Sequence, residues 1–146
     1  MKYFSIGELS RSNVADLKGI PNHPNTYQKM NMEKLIVNVL DPIRTLYGKP
    51  IYVNSGFRTA TLNEAIGGAR NSQHMEGKAA DITAGNPKEN RKLWELILFL
   101  NQEGDIDFDQ LINEKPVFNE GLGDCPSWIH ISYNEDNNRG QILTLR

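Results

Sequence analysis

The sequence predicts an α+β fold in which a small antiparallel sheet packs against helices. Two long segments carry apolar residues at helical spacing, and several short segments rich in aromatic and β-branched residues are bounded by turn residues, as strands are. A chain of 146 residues can bury one hydrophobic core without disulfides or oligomerisation. We therefore expect one domain over residues 1–146 and a monomer.

The predicted helices cover residues 5–11, 26–47, 59–66 and 87–103. Pro42 is expected to kink or divide the second of these helices. Residues 14–24 are expected to form a turn-rich loop, since Gly19, Pro21 and Pro24 interrupt them. The helices over residues 26–47 and 87–103 have apolar stripes and should form the helical side of the core.

The predicted strands cover residues 51–54, 79–83, 108–114 and 127–133. The last two are expected to pair as an antiparallel hairpin around a loop that contains proline and glycine. If Ile112 lies opposite His130, then Glu114 lies opposite Trp128, and all four side chains share one face of the sheet. The Glu114 side chain would then lie on the same face of the sheet as His130.

Charge and hydropathy exclude several classes of partner. The net charge is −2 and no basic run is present, which argues against nucleic acid as the main partner. No segment approaches the ~20 apolar residues that span a membrane, and the first residues lack the apolar stretch of a secretion signal. We expect a protein that is cytoplasmic when synthesised.

Three residues, His74, Asp81 and His130, supply two imidazoles and a carboxylate. Catalytic zinc takes three such ligands and leaves a position open, whereas structural zinc is closed by four ligands rich in cysteine. Cys125 is the only cysteine in the chain, so a structural cysteine cluster is excluded. The sequence therefore predicts one catalytic zinc ion.

The interval from His74 to Asp81 excludes a continuous element. Over this interval a helix would rise by roughly 10 Å, whereas two ligands of one zinc ion stand ~3 Å apart. In a continuous strand, an odd separation places the two side chains on opposite faces. We therefore expect the chain to fold back at Gly77, because glycine tolerates positive φ, and a strand over residues 79–83 to deliver Asp81.

Longer motifs around these residues resemble a known family. Residues 72–81 have the form S-x-H-x-x-G-x-A-x-D, residues 128–130 have the form W-x-H, and residues 55–59 read S-G-F-R-T. These motifs resemble those of the zinc D-alanyl-D-alanine peptidases, in the group that includes lysostaphin-type enzymes and the Hedgehog signalling domain. Residues 4–12 are similar to the start of compact, often phage-associated, members, so the resemblance covers nearly the whole chain.

The resemblance implies roles for two further residues. Arg58 would face the site and hold a substrate carboxylate or the charge on the attacked carbonyl, as a guanidinium can. The alternative for Arg58 is a solvated surface charge that follows a turn. Ser72 matches the serine of the family and would bond the substrate backbone, or else only shape the loop.

The general base departs from the family pattern. Several relatives carry a carboxylate three residues before the last histidine, and here that position is Ser127. A serine hydroxyl is not a base near neutral pH. Glu114 is the first candidate for the base, Asp124 the second and Glu76 the third.

The resemblance implies a zinc metallopeptidase of the D-alanyl-D-alanine carboxypeptidase type that acts on peptidoglycan stem peptides. Carboxypeptidase and endopeptidase activity remain alternatives. A protein made in the cytoplasm would reach the peptidoglycan of the cell wall through cell lysis or another delivery route. The alternative from another class is a zinc-binding pseudoenzyme that recognises wall peptides without turnover.

Overall fold

In the computed structural model, which describes residues 1–146, a five-stranded sheet packs one face against helices. The helices are α1 (Ile6–Ser10), α2 (Asn13–Lys18), α3 (Thr26–Leu35), α4 (Asp41–Tyr47), α5 (Ala60–Ala65) and α6 (Pro87–Gln102), with a π-helical turn (Ile36–Leu40) and a 3₁₀ turn (Gln73–Glu76). The strands are β1 (Tyr52–Ser55), β2 (Ala79–Thr83), β3 (Gln110–Glu114), β4 (Val117–Asn119), β5 (Gly123–Cys125), β6 (Trp128–Ser132) and β7 (Gln141–Leu145). The α+β class is confirmed.

The main sheet has the order β1-β2-β6-β3-β7. Its pairs are antiparallel, as predicted, except for β3 and β7, which are parallel and make the sheet mixed at one edge. The reason is the route of the chain after β6. Strands β6 and β7 flank β3 on its two sides and run in opposite directions, so the connection between them passes the start of β3, beside Asp109, instead of forming a hairpin.

The pairing of β3 with β6 has the predicted register. Ile112 lies opposite His130 and Glu114 lies opposite Trp128. The two strands are not a simple hairpin, however, because the loop between them contains the two-stranded sheet of β4 and β5. The register itself is confirmed, and it brings Glu114 to the face of the sheet that carries His130.

The long helical segment is continuous but irregular at Pro42. The π-helical turn lies between α3 and α4, immediately before Asp41 and Pro42. Proline has no N–H, and its ring crowds the preceding turn, so a wider turn is a common accommodation. The predicted loop after residue 13 is partly wrong, because α2 forms there with the Ser12 hydroxyl accepting from the Ala15 N–H and Gly19 ending the helix at φ 65°.

The two faces of the main sheet differ in chemistry. Ile82, Leu111, Ile129 and Ile131 are fully buried and belong to one apolar cluster with α3, α4 and α6. The alternate residues point to the other face, which carries Asp81, His130 and Glu114. None of the helices has the length and apolar character needed to cross a membrane.

Candidate metal centre

A row of paired residues crosses the polar face of the sheet. Ser55 on β1 lies opposite Asp81 on β2, and Asp81 lies opposite His130 on β6. Side chains of directly opposed residues lie on the same face and within contact distance. The ladder therefore brings Asp81 and His130 together, although they are far apart in the sequence.

His74 reaches this row from the 3₁₀ turn. Its ring Nδ1 donates to the Gly56 carbonyl at 2.7 Å, because that oxygen can only accept, and Nε2 is left facing Asp81. The side chain is buried, with 4% of it exposed. The bond to Gly56 thus fixes the orientation of the ring, as a second hydrogen bond does for metal-binding histidines.

Gly77 provides the predicted reversal between His74 and β2. Its φ is +75°, and a Cβ at this position would lie 2.5 Å from the Gln28 carbonyl oxygen. Both the backbone conformation and the close approach of the helix therefore require glycine. The strand that follows, Ala79–Thr83, has the predicted bounds.

The three side chains form a cluster that could hold a metal ion. One ligand atom from each of His74, Asp81 and His130 lies within 4.8 Å of the others. Asp81 Oδ1 is 3.0 Å from His130 Nδ1 and 3.4 Å from His74 Nε2. Donor atoms around one zinc ion stand about 3.3 Å apart, given bonds of about 2.0–2.1 Å. The donor set and the two distances from Asp81 to the histidines fit zinc, and three ligands leave one of its four positions open.

Three neighbouring side chains favour the charged form of Asp81. Burial alone would raise the pKa of Asp81, but hydrogen bonds with His130 and His74 outweigh it and hold the pKa well below its usual value. The Arg58 guanidinium adds a third partner, with Nη2 3.5 Å from Asp81 Oδ2. Asp81 is therefore ionised when it meets a cation.

Arg58 lies at the edge of the cluster and is held in place. Its Nε donates to the Ser55 hydroxyl at 3.0 Å and its Nη1 donates to the Asn63 side-chain oxygen at 3.1 Å. Burial lowers its pKa, and Asp81 partly offsets this effect. The alternative of a solvated surface charge is inconsistent with a side chain only 12% exposed.

A cavity of about 670 Å³ opens on the other side of Arg58. It runs beside β1 and is also lined by Glu8 and Arg11 of the N-terminal segment and by Leu62 of α5. This volume is within the range of small-ligand sites. Arg58 thus lies between an open cavity and the cluster of His74, Asp81 and His130.

Glu114 occupies the same face, two residues beyond Ile112 on β3. Burial and the nearby Asp81 carboxylate raise the pKa of Glu114, and His130 and Lys115 lower it to a smaller degree. A carboxylate with a raised pKa close to a metal-binding site is suited to proton transfer. The residue after it, Lys115, has a positive φ of 44°.

The other two base candidates have different partners. Asp124 forms an ion pair with Arg146 at 2.6 Å. Glu76 is more than half exposed and lies 3.4 Å from Lys78. The charges that lower the pKa of Asp124 come from Arg146 and Arg91, whereas Asp81 and His130 are the groups that act on Glu114.

Ser72 caps the 3₁₀ turn. Its hydroxyl accepts from the His74 backbone N–H at 3.2 Å, which supports the loop-shaping alternative. The hydroxyl proton remains free to be donated. A contact of Ser72 with substrate stays a prediction.

Sequence reasoning missed two supports of the site. Asn63 holds Arg58 while its amide donates to the Ala69 carbonyl at 2.9 Å. Gln73, beside His74, donates to the buried Asp109 at 2.7 Å, and Asp109 also binds Arg139. No sequence pattern around Asp109 predicts these contacts, because Gln73 and Arg139 are distant from it in the sequence.

Comparison with known proteins gives two findings. The family model described as Peptidase M15 matches residues 2–132. The zinc D-Ala-D-Ala carboxypeptidase of Streptomyces albus G is 60% identical over 38 residues, which make up 26% of this chain and 15% of that protein. The second likeness is local, because the aligned segment is a small part of the relative.

Proposed function

The chain belongs to the Peptidase M15 family, and we propose that it is a zinc-dependent peptidase that hydrolyses peptide bonds in peptidoglycan stem peptides. The observation that carries the proposal is the convergence of His74, Asp81 and His130 within 4.8 Å on the polar face of the sheet. The name of the Streptomyces relative, a zinc D-Ala-D-Ala carboxypeptidase, supports the metal and the substrate class.

The proposed ligands of one zinc ion are His74, Asp81 and His130. When bound, zinc supplies Lewis acidity that polarises the scissile carbonyl and lowers the pKa of the attacking water. The hydrogen bond from His74 to Gly56 and the contact of Arg58 with Asp81 orient two of these ligands before any ion arrives. Such outer contacts commonly change metal affinity by about 10- to 100-fold.

Glu114 is the proposed general base. It takes a proton from the attacking water and then donates it to the leaving amine, as proton shuttles do. The register that sets Glu114 opposite Trp128, beside the row of His130, supports this role. Its raised pKa supports it too, because a base works best when its pKa is closer to the working pH.

Arg58 and Ser72 are the proposed substrate-binding residues. Three of the five N–H donors of Arg58 are engaged with Ser55, Asn63 and Asp81, which leaves two for a substrate carboxylate or for the oxyanion. Ser72 donates its free hydroxyl proton to the substrate backbone. The cavity beside Arg58 has room for residues of the peptide chain.

The test is hydrolysis of purified stem peptides by zinc-loaded protein, with the products identified by mass spectrometry. Release of the terminal D-alanine indicates a carboxypeptidase, and cleavage within the peptide or its cross-bridge indicates an endopeptidase. His74→Ala should abolish either reaction. Stoichiometric zinc binding without cleavage would instead favour the pseudoenzyme that recognises wall peptides.

A further inference from the structure

Lys115 is the only non-glycine residue with a positive φ, at 44°, and it directly follows Glu114. Lysine disfavours this left-handed conformation because its Cβ crowds the backbone. The Lys115 side chain is exposed, so side-chain packing does not explain the strain. Such residues persist where the surrounding structure enforces them, and they cluster at functional sites.

Three hydrogen bonds hold this strained residue and its neighbour. The Lys115 N–H donates to the Leu145 carbonyl at 2.6 Å, and the Ser127 N–H donates to the Glu114 carbonyl at 3.0 Å. The Ser127 hydroxyl donates to the Lys115 carbonyl at 2.6 Å. Ser127 thus binds both residues at the end of β3, one through its backbone and one through its side chain.

Ser127 is itself fixed to the core. The side chain of Asn90 on α6 is completely buried and donates to the carbonyls of Pro126 and Ser127 at 3.0 and 3.1 Å. Ser127 is therefore bonded both to α6 and to the residues that follow β3. It is anchored on the helix that packs against the opposite face of the sheet.

We propose that Ser127 is a positioning residue for Glu114. Its hydroxyl holds Lys115 in the left-handed conformation, which ends β3 at Glu114, directs the following chain away from the sheet and keeps the Glu114 carboxylate beside Asp81 and His130. The inference rests on the proposed function, in which Glu114 moves the proton. Ser127 has no chemical role, because its proton is committed to a carbonyl.

The first test compares Ser127→Ala with Ser127→Thr in the zinc-loaded protein. Alanine should lower kcat for stem-peptide hydrolysis roughly tenfold, since small displacements of a catalytic group have large effects. KM should stay within about twofold, because substrate contacts are unchanged. Threonine keeps the hydroxyl and should restore most of kcat. Zinc content should be the same in all three proteins.

The second test adds Lys115→Gly. Glycine populates positive φ about as readily as negative φ, so Ser127→Ala/Lys115→Gly should have a higher kcat than Ser127→Ala alone. Amide hydrogen exchange gives a readout independent of activity. In Ser127→Ala, exchange at Lys115 should accelerate while the buried β6 amides of Ile129 and Ile131 remain protected.

Several outcomes would overturn the inference. One is an unchanged kcat in Ser127→Ala, and another is a loss that threonine does not restore or that comes with loss of zinc. Unchanged exchange at Lys115 would also contradict the clamp. An inactive wild-type protein would refute the proposed function itself, and that result differs from an active wild type with an unaffected Ser127→Ala.

Discussion

Asp81 lies opposite His130 across the β2–β6 ladder, and Asp81 Oδ1 is 3.0 Å from His130 Nδ1. The same oxygen is 3.4 Å from His74 Nε2, and the two imidazole rings meet edge to face with centroids 5.2 Å apart. Both rings therefore converge on one carboxylate oxygen. A divalent cation bound by all three residues would satisfy each of these groups.

Replacement of a proposed ligand should remove the metal. We expect His130→Ala to weaken zinc binding by more than about a hundredfold, since even changes in the outer contacts of a ligand cost about 10- to 100-fold. Competition with a chromophoric chelator measures the affinity. His23→Ala is the matched control because His23 is exposed and outside the cluster. Equal zinc affinity in the two variants would contradict the assignment.

The pH dependence of activity should report Glu114. The base must be ionised, and burial together with Asp81 raises its pKa above the ordinary 4.5. Activity should therefore fall on the acid side with an apparent pKa above that value. Glu114→Gln should lower kcat by roughly 10²- to 10⁴-fold and abolish this limb. Asp124→Asn should keep both kcat and the fall in activity on the acid side. Loss of both in Asp124→Asn, with both kept in Glu114→Gln, would identify Asp124 as the base.

Lysine at position 58 should not support the activity that Arg58 supports. The planar guanidinium contacts Ser55, Asn63 and Asp81 at once, and an ammonium group lacks this geometry. We expect Arg58→Lys to lower kcat/KM by roughly 10²-fold, near the lower end of losses for oxyanion donors. Steady-state kinetics measure it, with the exposed Arg70→Lys as control. Full activity of Arg58→Lys would show that only its charge matters.

Asp109 should stabilise the fold at neutral pH and lose this effect in acid. Hydrogen bonds from Arg139, opposed in part by burial, lower the pKa of Asp109 to about 2. Because the folded pKa is below the unfolded value of ~3.9, the stabilisation is present above about pH 5 and disappears as the pH falls toward the folded value.

The size of this effect is limited by solvent, because half of the Arg139 side chain is exposed. We expect Asp109→Asn to reduce the free energy of unfolding by about 1–2 kcal/mol at pH 7 and by less at pH 3. Urea denaturation at the two pH values measures the difference. Asp107→Asn is the exposed control, and an equal loss for Asp109→Asn at both pH values would contradict the linkage.

The extent of sequence prediction follows from the range of the interactions. The register of Ile112 with His130 was predictable because alternation along each strand determines which side chains face the core. The reversal at Gly77 was predictable from the need to bring two candidate ligands, His74 and Asp81, together. Strand β7 was missed, because its parallel pairing with β3 depends on the route that the chain takes past β3 after it leaves β6. The contact of Asn63 with Arg58 depends on tertiary packing and has no sequence signal.

The most direct test measures zinc content and stem-peptide hydrolysis in the same preparations of wild-type protein and Glu114→Gln. The account predicts one zinc ion per chain in both proteins and cleavage by the wild type alone, because the proposed metal ligands and the proposed proton shuttle are separate side chains on one face of the sheet. A wild-type protein that holds one zinc ion and cleaves no stem peptide would contradict it.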